Sequence, residues 1–210
     1  MKKLFVILDN GHGNNTAGKR SPKLDDGRQL FEYKWNREVV DMIAKKLLEK
    51  DIAHTILVPE IHDIPLSTRV NRANKLYYEY KAKGYEVILI SVHVNACGTG
   101  MKWENPNYWS AWTSKGQTKG DAVADSMYVG AEKVFNPLNL RIAKDLSDKD
   151  SDMESNFYIL KKSAMPAVLT ENFFMTSKEG CNFLLSEQGK KLCVDAHILG
   201  ILDYQEKISK

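Results

Sequence analysis

The chain has 210 residues, of which 43% are hydrophobic and 27% are charged, so it is long and apolar enough for one domain with a sizeable core. Its formal net charge of +3 is too small to indicate a nucleic-acid partner, although it is compatible with an anionic polymer. The three cysteines, Cys97, Cys181 and Cys193, are odd in number and form no CxxC pair, which argues against a disulfide framework and a cysteine metal cluster.

Apolar patterning predicts alternating strands and helices in the first half of the chain. Residues 4–8 form a continuous apolar run that stops at Asp9. Five residues are fewer than the roughly 7–15 of a signal-peptide core, so we interpret the run as a buried strand. A Gly-rich loop follows it. The elements predicted beyond that loop are a helix at 31–50, a strand at 53–58, a helix at 66–83 and a strand at 87–93.

The second half continues the same alternation. The predicted elements are a strand at 108–113, a helix at 119–135, strands at 157–161 and 167–174, and helices at 177–185 and 189–205. Residues 138–152 are polar, and we expect part of this stretch to be a mobile surface loop. No apolar run approaches the roughly 20 residues of a membrane span. The pattern predicts an α/β fold with a mostly parallel sheet covered on both faces, in a single domain over residues 1–210.

Polar side chains gather where three predicted strands end. His12 lies between two glycines after the first strand, His93 ends an otherwise apolar strand, and Glu171 follows another. Glu32 starts the first helix. Ligands of open α/β sheets gather beyond the carboxyl ends of strands, and two histidines with one carboxylate are a common catalytic zinc shell. The sequence therefore indicates a metal site with Glu171 as an acid/base group.

Each of these residues also has a purely structural interpretation. His12 can serve a turn, and His93 can be a hydrogen-bonded core histidine. Glu32 can complement the dipole of its helix, and Glu171 can be an exposed carboxylate at a strand end. Spacing alone leaves these alternatives open.

The order of the motifs resembles a known family, the zinc N-acetylmuramoyl-L-alanine amidases of the amidase-3 type. The resemblance covers nearly the whole chain, from about residue 4 to residue 204. The motifs that carry it are Asp9-Asn10-Gly11-His12-Gly13, Glu32, the segment from Arg69 to Asn74, Ser91-Val92-His93-Val94-Asn95-Ala96, Asn156-Phe157-Tyr158-Ile159-Leu160 and Pro166-Ala167-Val168-Leu169-Thr170-Glu171.

The resemblance implies specific roles for the same four residues. His12, Glu32 and His93 are the implied zinc ligands, and Glu171 is the implied catalytic carboxylate. The family fold is a central mixed sheet of about six strands with helices on both faces. From their positions in the sequence, Asp9, Asn10 and Asn95 would orient the two ligand imidazoles.

Three features depart from the family pattern. Asn10 replaces the usual Pro, and Phe173 stands where the family has Gly in its Glu-x-Gly-Phe motif. The segment after His93 carries three tryptophans, Trp103, Trp109 and Trp112, in place of a Gly-Val-Glu-like run. These tryptophans and Tyr108 either line a substrate groove or pack in the core.

The function implied by the resemblance is zinc-dependent hydrolysis of the amide between N-acetylmuramic acid and L-alanine in bacterial peptidoglycan. Two alternatives remain open: a zinc carboxypeptidase, with Arg20, Arg28, Arg69 or Arg141 gripping a terminal carboxylate, and a non-catalytic wall-binding module. A Cys/His nucleophilic site at Cys97 is a weaker rival because the sequence supplies no further parts for it.

The implied partner is peptidoglycan, with no nucleic acid, no membrane insertion and a monomer favoured. We expect action at the bacterial cell wall. Because no signal peptide is evident, the sequence suits a phage or prophage lysin made in the cytoplasm, or a secreted enzyme whose leader has been removed.

Overall fold

The computed structural model describes residues 2–98, 100–147 and 150–210. Within these residues a six-stranded sheet has the order β2-β1-β3-β6-β4-β5. The first four strands in this order are parallel, β4 is antiparallel to β6, and β5 is parallel to β4. The strands are β1 (Lys3–Asn10), β2 (Ala53–Ile56), β3 (Tyr85–Asn95), β4 (Trp109–Thr113), β5 (Met153–Glu154) and β6 (Ala167–Phe174). This confirms the predicted mixed, mostly parallel sheet.

Helices cover both faces of the sheet, as predicted. They are α1 (Glu32–Glu49), α2 (Leu66–Ala82), α3 (Asp121–Phe135), α4 (Tyr158–Lys162), α5 (Lys178–Leu185) and α6 (Glu187–Ser209). Helices α1, α3, α5 and α6 pack on one face, and α2 and α4 pack on the other. Alternate residues of β1 serve the two faces, with Val6 and Leu8 in the first core and Phe5 and Ile7 in the second. None of the described helices is long and apolar enough to cross a membrane.

The predicted strand at 157–161 is wrong, because this segment forms the short helix α4. Ile159 and Leu160 are buried against the α2 face, and a five-residue helix can bury such an apolar pair as well as a strand can. The edge of the sheet is instead completed by the two-residue strand β5, which pairs with Trp112 and Thr113 of β4. So short a strand carries no readable period in the sequence.

The polar stretch at 138–152 is partly tied to the sheet. Ile142 forms an isolated β-bridge with Trp109, and Asp152 is buried and accepts a hydrogen bond from Thr113. Two residues of the expected mobile loop, Asp148 and Lys149, lie outside the described part of the chain.

The sheet brings the carboxyl ends of β1, β3 and β6 to one edge. His93 and Glu171 are register partners on the neighbouring strands β3 and β6. The register between these strands shifts between His93 and Asn95, which marks a bulge next to the pair. The adjacent ends of three parallel strands therefore define where the site is built.

Candidate metal centre

The three residues predicted as metal ligands lie together. His12 is in the turn after β1, Glu32 is the first residue of α1, and His93 is near the end of β3. One ligand atom from each lies within 4.8 Å of the others, and among the described residues this is the one such group of His, Cys, Asp or Glu. The two imidazole rings are perpendicular, with centroids 5.0 Å apart.

Two glycines allow the backbone of His12 to approach the neighbouring segments. A Cβ on Gly11 would overlap the imidazole of His93, and a Cβ on Gly13 would overlap the backbone of Asp63. His12 itself has a φ of +66°, in the left-handed region that residues with a Cβ seldom adopt. The Gly-His-Gly sequence is therefore required by space, and it aims the ring of His12 at the edge of the sheet.

Glu32 is the centre of the group. Its side chain is 1% exposed, and its Oε1 lies 3.1 Å from Nδ1 of His93 and 3.4 Å from Nε2 of His12. Oε1 also accepts a hydrogen bond from the backbone N–H of Val94 at 3.2 Å. Although burial opposes ionisation, the hydrogen bonds from His12 and His93 hold the pKa of Glu32 well below its usual range.

One carboxylate oxygen of Glu32 lacks a hydrogen-bond partner. Oε2 of Glu32 is buried and has no hydrogen-bond partner. A buried carboxylate oxygen without a partner is costly unless a cation or a donor meets it. Two imidazoles and an ionised carboxylate whose free oxygen is buried fit a divalent metal ion that prefers nitrogen and oxygen ligands. The residues present could therefore hold such an ion.

Glu171 lies beside this group, on the strand next to His93. Its Oε2 is buried and has no hydrogen-bond partner. Burial raises the pKa of Glu171 to about 7, against a smaller opposing effect of His93. A carboxyl group with a pKa near neutrality can accept and return a proton at neutral pH, which is the property expected of a general acid/base.

The side chains of Asp9, Asn10 and Asn95, expected to orient the imidazoles, hydrogen-bond to other groups. Asp9 accepts hydrogen bonds from Arg69 and Ser91, both at 2.6 Å. The amide of Asn10 donates to a backbone carbonyl of the segment after β2, and the side chain of Asn95 accepts from the next backbone N–H. The hydrogen bonds of these three side chains therefore stabilise the strand ends and leave the ligand rings to other groups.

Sequence reasoning missed two residues of α1 that contact the His12 turn. Asn36 is fully buried and donates to the carbonyl oxygen of Gly11 at 3.1 Å, and Arg37 donates to that of His12 at 3.0 Å. The available signal was Asn36, a polar residue within the apolar stripe of an amphipathic helix. No comparable signal identifies Arg37.

The tryptophans divide between the two interpretations. Trp109 is 1% exposed and belongs to the core, and Trp103 packs against the same core. Trp112 is half-buried, donates to Ser110 at 3.0 Å and packs edge-to-face against Phe157 on the α2 face. Core packing therefore accounts for Trp109, whereas Trp112 lies on the sheet face that carries Glu171.

Two residues of the rival arrangements, Cys97 and Arg69, contact groups other than those that their rival roles require. The sulfur of Cys97 lies 3.8 Å from the hydroxyl of Thr176, and its backbone N–H donates to the same hydroxyl. Arg69 is 2% exposed and paired with Asp9 and Asp63, so its charge does not face a substrate carboxylate.

Comparison with known proteins identifies the family. The sequence matches the N-acetylmuramoyl-L-alanine amidase family over residues 6–203. Among relatives, an endolysin of Bacillus phage SPP1 is 26% identical over 97% of this chain and 66% of its own length. An uncharacterized cell wall amidase of Bacillus anthracis is 25% identical over 96% of this chain. The chain spans 35% of the length of that Bacillus anthracis protein.

Solved structures share the fold. The N-acetylmuramoyl-L-alanine amidase of Clostridium difficile 630 has a TM-score of 0.77 at 23% identity, covering 98% of both chains. The amidase AmiC2 of Nostoc punctiforme has the same TM-score at 22% identity, covering 97% of both chains. Since the family match spans nearly all of the sequence, the chain belongs to the N-acetylmuramoyl-L-alanine amidase family.

Proposed function

We propose that the chain is a zinc-dependent amidase that hydrolyses the bond between N-acetylmuramic acid and L-alanine in peptidoglycan. The observation that carries the proposal is the pairing of two groups at one sheet edge. His12, Glu32 and His93 offer three metal ligands, and Glu171 offers a carboxylate oxygen that has no partner. Family membership supplies the substrate class.

His12, Glu32 and His93 would hold the zinc and leave a position for the substrate. When bound there, zinc would act as a Lewis acid on the scissile carbonyl and lower the pKa of an attacking water. Glu32 is already ionised by its contacts with the two imidazoles, so it can meet the cation without first losing a proton. The turn that carries His12 and the strand that carries His93 place both residues at the same edge of the sheet, where they would hold the ion.

Glu171 moves the proton in this mechanism. Its Oε2 takes a proton from the water as that water attacks the carbonyl carbon, and the same oxygen then delivers the proton to the departing alanine nitrogen. Because burial holds the pKa of Glu171 at about 7, both the basic and the acidic form are populated at neutral pH.

The test is hydrolysis of purified peptidoglycan with mass analysis of the soluble products. We expect peptides that begin with L-alanine, lost after chelation and restored by zinc. A Glu171→Gln variant should retain one equivalent of zinc while its kcat falls by roughly 100- to 10,000-fold. Release of single terminal amino acids would identify a carboxypeptidase. An intact wall with one zinc bound would identify a binding module, and normal turnover in Glu171→Gln would refute the role of Glu171.

The place of action follows from the substrate. We propose that the chain acts at the bacterial cell wall, since its relatives include proteins described as an endolysin and an uncharacterized cell wall amidase. Peptidoglycan is the proposed partner, because the scissile amide occurs in that polymer.

A further inference from the structure

Two arginine side chains hold the backbone of His12 from two sides. Arg37 of α1 donates from Nη1 to the carbonyl oxygen of His12 at 3.0 Å. Arg69 of α2 donates from Nη2 to the same oxygen at 3.2 Å. This carbonyl oxygen therefore accepts from two charged donors, which form the stronger class of hydrogen bond.

The backbone of His12 needs such support. Its φ of +66° is unfavourable for a residue with a Cβ, so without fixed neighbours His12 would relax towards an ordinary backbone conformation. Relaxation would rotate the Cα–Cβ bond and carry Nε2 away from Oε1 of Glu32, from which it now lies 3.4 Å. The position of this ligand atom therefore depends on the contacts of the His12 carbonyl.

Arg37 joins His12 to the helix that carries Glu32. It lies five residues after Glu32 on α1, and its guanidinium also donates to the carbonyl oxygens of Tyr33 at 3.1 Å and Glu60 at 2.7 Å. One planar group thus connects the His12 turn, the first turn of α1 and the segment after β2. This connection fixes the separation of two metal ligands that are 20 residues apart in the sequence.

Arg69 joins His12 to the strand that carries His93. Its buried guanidinium pairs with Asp9 at 2.6 Å and with Asp63 at 2.8 Å. The other oxygen of Asp9 accepts from the hydroxyl of Ser91, which precedes His93 by two residues on β3. The chain of contacts therefore runs from the His12 carbonyl through Arg69 and Asp9 to β3.

We propose that Arg37 and Arg69 are positioning residues that set the metal affinity of the site by fixing His12 in its left-handed conformation. The proposal rests on the metal-binding role proposed for His12, Glu32 and His93. Each arginine links the His12 turn to an element that carries another ligand. Asp9 and Asp63 partly offset the repulsion between the two cations; burial and the charge of Arg69 lower the pKa of Arg37, and the two aspartates oppose that effect.

The chain offers a conservative substitution and a matched control. Arg37→Lys keeps the charge and most of the side chain, but one ammonium group cannot reproduce the planar fork that reaches the carbonyls of His12, Tyr33 and Glu60 at once. Arg72→Lys is the control. Arg72 lies on the same helix as Arg69 and binds the carboxylate of Glu60 at 2.6 and 2.9 Å, and its hydrogen bonds go to Glu60 and Leu57, away from the metal ligands.

The experiment measures zinc affinity directly. Metal-free protein competes with a chromophoric chelator for zinc, and cobalt-loaded protein is examined by its visible absorption, which reports ligand geometry. We expect Arg37→Lys to weaken zinc binding by roughly 10- to 100-fold and to alter the cobalt spectrum. Arg69→Lys should act in the same direction. Arg72→Lys should stay within about twofold of the wild type with an unchanged spectrum.

The outcomes separate this inference from the proposed function. Arg37→Lys decides the question if the buried Arg69→Lys fails to fold. Equal zinc affinities and identical cobalt spectra in the wild type, Arg37→Lys and Arg72→Lys would overturn the positioning role while leaving the metal site intact. A wild-type protein that holds neither zinc nor cobalt would overturn the metal site as well. Equal loss of thermal stability in Arg37→Lys and Arg72→Lys, without a change in affinity, would assign Arg37 a structural role only.

Discussion

Two residues beside the site share a left-handed backbone but are held in opposite ways. His12, after β1, has a φ of +66°, and Phe173, near the end of β6, has a φ of +57°. The polar turn around His12 is fixed by side-chain hydrogen bonds to the carbonyl oxygens of Gly11 and His12. The corner around Phe173 is fixed by its own side chain, which is 1% exposed and contacts Phe135 and Phe183 at centroid distances of 5.1 and 4.9 Å.

The difference follows from what each side chain is free to do. The imidazole of His12 points to the ligand group, so it cannot also anchor its own backbone, and neighbouring side chains do so instead. Phe173 lies two residues beyond Glu171 and is not one of the proposed metal ligands. Its ring packs in the core and thereby stabilises a conformation that glycine would adopt at lower cost. Variants at the two positions should therefore differ in how much stability they lose.

The largest expected effect is at Phe173. Phe173→Ala removes a buried ring from an aromatic cluster while the backbone remains left-handed, so we expect the free energy of unfolding to fall by about 3–5 kcal/mol. For a chain of this size that loss corresponds to a decrease in Tm of roughly 10 °C. Chemical denaturation of the metal-free protein measures it. A loss below about 1 kcal/mol would mean that packing does not hold this corner.

The free energy of unfolding should fall in acid because of His197, which is buried behind the strand β6 that carries Phe173. Nδ1 of His197 donates to the carbonyl oxygen of Cys193 at 2.7 Å, and its Nε2 accepts from Thr170, which precedes Glu171. Burial lowers the pKa of His197 to about 4. The neutral ring is therefore favoured in the folded state, and its contribution is complete above pH 6.5 and is lost as the pH falls towards 4.

The shift corresponds to about 3 kcal/mol, most of it lost between pH 6.5 and 4. His197→Gln should therefore lose less stability than the wild type over this interval, although it can start from a lower value at pH 7. His62→Gln is the control, because His62 is exposed. Denaturation curves at several pH values provide the measurement, and parallel pH profiles for His197→Gln and the wild type would contradict the assignment.

The sequence predicts the two regions to different extents. The turn at His12 can be predicted from the sequence. Glycines flank His12, and the apolar strand before it ends at Asp9, which together indicate a sharp turn at a sheet edge. The structure brings His12, Glu32, His93 and Glu171 to that edge, as expected. The corner at Phe173 is readable only as a departure from the family pattern, since nothing in the sequence reveals a positive φ at a phenylalanine.

Tertiary contacts decide the parts of the structure that the sequence does not predict. Residues 157–161 supply too few side chains to distinguish period 2 from period 3.6, and burial against α2 decides for the helix. The contacts of Arg37 and Arg69 depend on the segment after β2 folding back beside the turn, which is a tertiary event. Local pattern therefore predicts the sheet and the residues at its edge, whereas the contacts that fix those residues require the assembled fold.

An intermediate effect is expected at Asn172, which connects the Phe173 corner to β3. Its amide donates to the carbonyl oxygen of His93 at 2.9 Å and accepts from Nε1 of Trp109 at 3.2 Å. Asn172→Ala removes both hydrogen bonds and leaves the buried Nε1 of Trp109 without its acceptor, so we expect a loss of about 1–3 kcal/mol. Unlike Phe173→Ala, it should also weaken zinc binding, because the backbone of a proposed ligand loses its support. Stability loss with unchanged zinc affinity would show that the two regions are independent.

The smallest effect on stability is expected at His12, and it decides the comparison. His12→Gly removes an imidazole that contacts Glu32 but relieves an unfavourable left-handed backbone, and the carbonyl that accepts from Arg37 remains, so the metal-free protein should stay within about 1 kcal/mol of the wild type. Phe173→Gly relieves the same kind of backbone yet loses its ring, so it should be destabilised by about 2–4 kcal/mol. Parallel denaturation of the two variants without metal gives both values. If His12→Gly is the more destabilised, the imidazole itself stabilises the turn, and the hydrogen bonds from Arg37 and Arg69 contribute little to it. If Phe173→Gly is the more destabilised, the protein uses packing where a side chain is free and hydrogen bonds from neighbours where the side chain is reserved for the site.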